Sequence, residues 1–212
     1  MLGVYNYTVI LTYLGMFSSF LGMNFVFNGN LKAALLCLMI SGVMDMFDGK
    51  VASTKKNRTD FEKMFGIQID SLADLICYGV LAALIVMHFS VDKETTSTIT
   101  KIAVVGICGL YVLCALIRLS YFNVDEAQRQ SNTTECRHEY KGLPVTSAAI
   151  ILPALYIVLS RINQITGIWA SLLLAVMGLA FISPFKITKP HAFGKCVLII
   201  FGIAELVFFV LM

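Results

Sequence analysis

Long, uninterrupted apolar stretches separated by short polar turns constrain this chain more than any other feature. A helix needs about 20 apolar residues to cross a bilayer. Stretches of that kind lie near residues 8–27, 31–47, 67–89, 102–122, 145–159, 166–182 and 193–212. They are continuously apolar and lack the alternation of a barrel wall. The expected fold is therefore all-α: a polytopic transmembrane helical bundle of seven spans, or six if the short fifth stretch only partly crosses. The connections leave no room for a second folded unit, so residues 1–212 read as a single transmembrane domain. Composition agrees, with 58% hydrophobic and only 14% charged residues against about 25% charged in soluble domains. That balance excludes an ordinary soluble enzyme and a disordered chain, and no nucleic acid partner is expected.

Charge placement orients the bundle. With the N-terminus in the cytoplasm, only Lys32, Lys93, Lys101 and Arg161 fall on the far side, and the other twelve of the 16 basic residues face the cytoplasm. This obeys the positive-inside rule. The longest polar connection, about residues 124–140, is then cytoplasmic. The first stretch is too long, and lacks a basic flank, to read as a cleavable signal. Five of the six cysteines sit in apolar stretches and no C-x-x-C pair occurs, so they read as small buried apolar residues.

Ionisable residues within spans are expensive and usually functional. Asp45 and Asp48 are three apart near the cytoplasmic end of the second stretch, and Asp70 and Asp74 are four apart in the third. Both spacings put a pair on one helix face. The turn over residues 50–66 brings the two helix ends together, and four carboxylates at one depth repel. A divalent cation relieves that repulsion, and all-oxygen ligation points to Mg²⁺ or Mn²⁺, with Ca²⁺ an alternative. The competing readings are carboxylates paired with Lys50, Lys55, Lys56 and Arg58 at the interface, or a proton or cation pathway. Gly49, Ala52 and Gly66 beside the carboxylates leave room for a bulky ligand to approach helix backbone, which a cation pathway does not need.

The strings DMFDGKVAS and GIQIDSLAD resemble the signature of the CDP-alcohol phosphotransferase family, D-x2-D-G-x2-A-R…G-x3-D-x3-D. Asp45, Asp48, Gly49, Ala52, Gly66, Asp70 and Asp74 fall on its fixed positions. The usual arginine is Ser53 here, and the stretch to Gly66 is longer than common. Lys55, Lys56 and Arg58 are the candidates for the missing cation. The segments IDSLADLICYGV, Arg118-Leu119-Ser120-Tyr121-Phe122-Asn123 and Tyr140-Lys141-Gly142-Leu143-Pro144 are similar to the membrane-embedded phosphatidylserine synthase branch, and Phe181–Lys186 is a weaker fourth likeness.

The resemblance implies transfer of a phosphatidyl group from CDP-diacylglycerol to L-serine, giving phosphatidylserine and CMP. It implies Asp45, Asp48 and Asp70 as metal ligands, and Asp74 as the general base, sharing a metal. Gly49, Ala52 and Gly66 would leave space for the cytidine moiety. Arg118 would contact lipid phosphate or serine carboxylate, unless it snorkels to the interface. Asn123 would hydrogen-bond substrate or cap its helix, and Lys141 would contact acceptor or phosphate, or be a solvated loop residue. A homodimer embedded among membrane lipids, in the cell membrane of a prokaryote with its site facing the cytoplasm, completes the expectation. Other acceptors (inositol phosphate, glycerol phosphate, choline) and an ether-lipid donor remain open, as does a small cation transporter.

Overall fold

A computed structural model describes residues 2–91, 97–132, 139–162 and 167–188, with 202, 204, 205 and 207–209. Seven α-helices make up nearly all of it: α1 (Ile10–Phe27), α2 (Leu31–Ser53), α3 (Asp60–Asp74), α4 (Ala82–Ser90), α5 (Thr98–Asn132), α6 (Ala148–Ile162) and α7 (Gly167–Ile182). A π-helical segment, Leu75–Leu81, joins α3 to α4 without a break. Two three-residue strands, β1 (Glu139–Lys141) and β2 (Lys186–Thr188), pair antiparallel. The first six expected stretches each coincide with a helix or a continuous helix pair. In the seventh, residues 202, 204, 205 and 207–209 are helical, and the rest lies outside the described residues.

Among the described residues, three helices are long and apolar enough to cross a membrane: Ile10–Phe27, Asp60–Ser90 and Thr98–Gln128. Val145–Ser160 and Ile168–Ile182 are shorter apolar helices. The long α2 carries Lys32, Asp45, Asp48 and Lys50 along its 23 residues, which lowers its apolarity. Large side chains such as Phe20, Leu110 and Val176 are each 62% exposed, while Ser19 and Ser41 are buried. That inverted pattern suits a surface facing lipid rather than water.

Local chemistry sets the helix boundaries around the site. Asn30 accepts from the Ala33 amide at 3.1 Å and starts α2, a side-chain N-cap. Thr59 Oγ1 accepts from the Glu62 amide at 3.2 Å, and Glu62 Oε2 accepts from the Thr59 amide at 3.0 Å. This reciprocal capping box fixes the start of α3 at Asp60. The turn between α2 and α3 is therefore only residues 54–59, shorter than the 50–66 read from polarity, because the helices continue through polar sequence at both ends. The same correction applies to α5. Its 35 residues rise about 52 Å at ~1.5 Å each, so helix runs on through Asn132, into the stretch expected to be a loop.

The first two helices pack closely because small residues line their contact. A Cβ on Gly22 would meet Leu81 Cδ2 at 2.9 Å and Cys37 Cβ at 3.0 Å. Ser41 Oγ donates to the Gly15 carbonyl at 2.8 Å, and it lies 2.7 Å from Ser19 Oγ. Gly15 and Gly22 thus serve packing within the chain.

The two short strands bring distant sequence together. Gly142 takes φ +69, and a Cβ there would meet the Phe181 and Ser183 carbonyl oxygens at 2.7 and 2.9 Å. Its amide donates to the Phe185 carbonyl at 2.8 Å, and the Leu143 amide donates to Ala180 at 3.0 Å. The Lys141-Gly142-Leu143-Pro144 turn is thereby tied to the Phe181–Lys186 segment.

Candidate active site

Asp45 and Asp48 project from the last three turns of α2, and Asp70 and Asp74 from the C-terminal half of α3. One carboxylate oxygen from each of Asp45, Asp70 and Asp74 lies within 4.8 Å of the other two. Asp48 sits beside this trio, close enough for its charge to act on all three. The spacing read from sequence is therefore realised, with three carboxylates converging and the fourth alongside.

The fourth carboxylate has a partner of its own. Thr12 Oγ1 donates to Asp48 Oδ2 at 2.8 Å, and both side chains are buried. Sequence reading gave α1 no part in the site. The signal available was Thr8 and Thr12, four apart at the start of an otherwise apolar stretch, where both fall on one helix face.

The donor set fits a divalent cation. Two oxygens on one Mg²⁺ lie at most about 4.2 Å apart, and on one Ca²⁺ about 5 Å, so a trio within 4.8 Å closes on one ion with small side-chain movements. No histidine or cysteine joins the group among the described residues, which disfavours zinc. Arg118, 7% exposed, lies near the cluster and its positive charge acts on Asp74. Its guanidinium also stacks over the Phe122 ring at 4.6 Å.

An open cleft of about 660 Å³ lies against Asp48 and Asp70, within the range of small-molecule sites. Helix α2 contributes Asp48, Gly49 and Ala52 to its wall, and α3 contributes Asp60, Gly66 and Asp70. Thr8 and Thr12 close one side, and Lys55, Lys56 and Arg58 come from the turn. A Cβ on Gly49 would meet nothing within 4 Å, so backbone there is open to a ligand. Gly66 differs. The space over it is taken by Arg58, whose Nη2 lies 2.7 Å from where a Cβ would be.

The turn is cross-braced. Lys55 Nζ lies 2.5 Å from Glu62 Oε1, which also accepts from Asn6 Nδ2 at 2.8 Å. Lys63 pairs with Asp60 at 3.1 Å. Ser53 is exposed and donates to the Lys50 carbonyl at 2.7 Å. Asn123 is engaged with α3: Ser71 Oγ donates to its Oδ1 at 2.7 Å, and its Nδ2 donates to Gln68 Oε1 at 3.3 Å. Lys141 lies on β1, but its side chain falls outside the described residues, as does Lys189.

The profile of the CDP-alcohol phosphatidyltransferases matches residues 5–182. The chain belongs to this family. Over 148 residues it is 32% identical to the archaetidylserine synthase of Methanothermobacter thermautotrophicus, covering 70% of this chain and 56% of that one. It is 34% identical over 123 residues to the CDP-diacylglycerol–serine O-phosphatidyltransferase of Saccharomyces cerevisiae, covering 57% and 40%. The enzyme of that same name from Bacillus subtilis is 27% identical over 164 residues, covering 76% and 77%. The chain thus spans only about half the length of the first two relatives. The family match includes every aspartate of the cluster and both walls of the cleft.

Proposed function

We propose that this chain transfers a phosphatidyl group from CDP-diacylglycerol to the hydroxyl of L-serine, giving phosphatidylserine and CMP. The observation that carries the reading is a cluster of four carboxylates, two of which, Asp48 and Asp70, line an open cleft whose walls also carry cations. A diphosphate needs positive charge around it, and a hydroxyl acceptor needs a base. The names of the Saccharomyces and Bacillus relatives support serine as the acceptor.

In this mechanism Asp45, Asp48 and Asp70 would hold Mg²⁺ or Mn²⁺, with Asp74 sharing it. Such an ion would supply positive charge for the diphosphate and for the leaving CMP. Gly49 and Ala52 let the nucleotide lie against α2. Asp74 takes the proton from the serine hydroxyl as its oxygen bonds to the lipid-side phosphorus. The bond from that phosphorus to the bridging oxygen breaks, and CMP leaves with the electron pair. Arg118 orients a lipid phosphate or the serine carboxylate. Asn123 steadies the helix carrying Asp70 and Asp74, and Lys141 contacts the acceptor.

The protein in this reading is integral to a prokaryotic cell membrane, with six or seven spans. Its N-terminus and site face the cytoplasm, and it works as a homodimer among membrane lipids. The distribution of lysine and arginine and the family resemblance support this. A second reading keeps the chemistry and changes the donor to an ether lipid, favoured by the name of the Methanothermobacter relative.

The test is CMP release by purified protein from ester and ether CDP-lipids, across serine, inositol phosphate, glycerol phosphate and choline. Serine should accelerate release, EDTA should abolish it and Mg²⁺ should restore it. Preference for another alcohol would overturn the serine assignment. No release with any pair, alongside cation flux in proteoliposomes, would overturn the transferase reading.

A further inference from the structure

Four cations line the cleft, and the fold treats them unequally. Lys55 pairs with Glu62, and Lys63 pairs with Asp60 at the exposed rim, where water screens both. Lys56 is exposed, so water screens it. Arg58 is half-buried and makes no ion pair within 4.0 Å among the described residues. Its Nη2 donates to the Glu62 carbonyl at 3.1 Å. Its Nε is buried and has no hydrogen-bond partner among the described residues.

A buried donor on a charged group is costly to leave unpaired. The turn nevertheless gives Arg58 a defined place. It precedes the Thr59–Glu62 capping box, one of its hydrogen bonds goes to that box's own carbonyl, and its guanidinium lies over the bare backbone of Gly66. A side chain at residue 66 would require that guanidinium to shift. The same cleft wall carries Asp48 and Asp70. A planar guanidinium that lines the cleft with no carboxylate partner among the described residues suits two oxygens of a phosphate.

Resting on the transferase reading above, we propose that Arg58 binds the diphosphate of the CDP-lipid, with Gly66 as its seat. Ser53, the residue after Ala52, supplies no charge and has its hydroxyl turned onto its own helix. The cation comes instead from five residues further on, across the turn. Gly66 therefore makes room for a protein side chain rather than for the nucleotide base.

The experiment measures binding of CDP and of cytidine at saturating Mg²⁺, with CMP release alongside, for wild type, Arg58→Gln and Arg58→Lys. Glutamine stays polar and loses the charge, though it is two bonds shorter, and unchanged cytidine affinity shows that the fold is kept. Losing a charge-assisted hydrogen bond should weaken CDP about tenfold or more. Cytidine affinity should stay near wild type, and lysine, which keeps charge but loses the fork, should fall between. Equal weakening of CDP and cytidine would make Arg58 structural and overturn the proposal. So would unchanged CDP affinity with a raised serine KM, which would assign Arg58 to the acceptor carboxylate. Wild type that releases CMP while Arg58→Gln binds CDP normally would refute Arg58 alone. Wild type that neither binds CDP nor releases CMP would refute the transferase reading with it.

Discussion

Thr12 and Asp48 join the first helix to the carboxylate cluster through one buried 2.8 Å hydrogen bond. Asp48 is 9% exposed and Thr12 8%, so neither has water as a ready substitute. The bond fixes one oxygen of Asp48 and thereby the direction of the other. Thr12→Val keeps the shape and removes the donor. Hydrogen bonds to charged groups contribute about 1.5–3 kcal/mol, so the Mg²⁺ concentration for half-maximal CMP release should rise roughly tenfold. Thr12→Ser should restore it. An unchanged Mg²⁺ requirement in the valine variant would show that Asp48 needs no help from α1.

Carboxylates this close should make the metal a folding ligand as well as a catalytic one. An ion that binds only the folded state stabilises it by about 2.7 kcal/mol at a hundredfold excess over Kd. EDTA should therefore lower the thermal midpoint in detergent, and Mg²⁺ should raise it. Asp45→Asn with Asp70→Asn relieves the repulsion and removes two ligands. That variant should be the more stable without metal, and should no longer respond to Mg²⁺. A midpoint indifferent to EDTA in wild type would count against a metal at this place.

The π-helical segment begins at the residue after Asp74 and accepts a hydrogen bond from a side chain of α5. Widening the helix disturbs its ladder of carbonyls, and Tyr111 Oη donates to the Tyr78 carbonyl at 2.8 Å. Both tyrosines are 1% exposed. Tyr111→Phe leaves that carbonyl without its side-chain donor, at about 1–3 kcal/mol. The thermal midpoint should fall by several degrees, and turnover should fall too if the segment sets the direction of Asp74. Loss of stability with full turnover would confine Tyr111 to packing.

Much of this was readable in the sequence because the physics is periodic. The apolar stretches marked the helices, and the i,i+3 and i,i+4 spacings of Asp45, Asp48, Asp70 and Asp74 put them on facing sides. Helix ends were less legible, since polar residues continue a helix as readily as they leave it. The capping box at Thr59 and Glu62 was present as Thr-x-x-Glu, yet its consequence, a six-residue turn, needed the boundary of α2. Periodicity alone did not fix the contacts between distant residues, even where it put Thr8 and Thr12 on one helix face. Thr12 against Asp48, Arg58 over Gly66, Asn123 on Ser71 and Tyr111 on Tyr78 each depend on how helices pack, which single-residue spacing does not encode.

Asp74 lies one helical turn beyond Asp70, so it faces the same site and can reach a different atom. If it mainly takes the serine proton, Asp74→Asn should keep much of the CDP-lipid binding. Transfer should still fall by ~10²–10⁴-fold, the usual cost of removing a general base. Asp48→Asn gives the contrast, because asparagine can still accept from Thr12 while carrying no charge. It should weaken Mg²⁺ and CDP-lipid binding together. Nucleotide-lipid affinity at saturating Mg²⁺, measured beside turnover for both variants, separates the roles. Near-normal turnover in Asp74→Asn would remove Asp74 as the base. Binding lost as severely as in Asp48→Asn would make Asp74 chiefly a ligand, and the serine proton would then have to leave through another group.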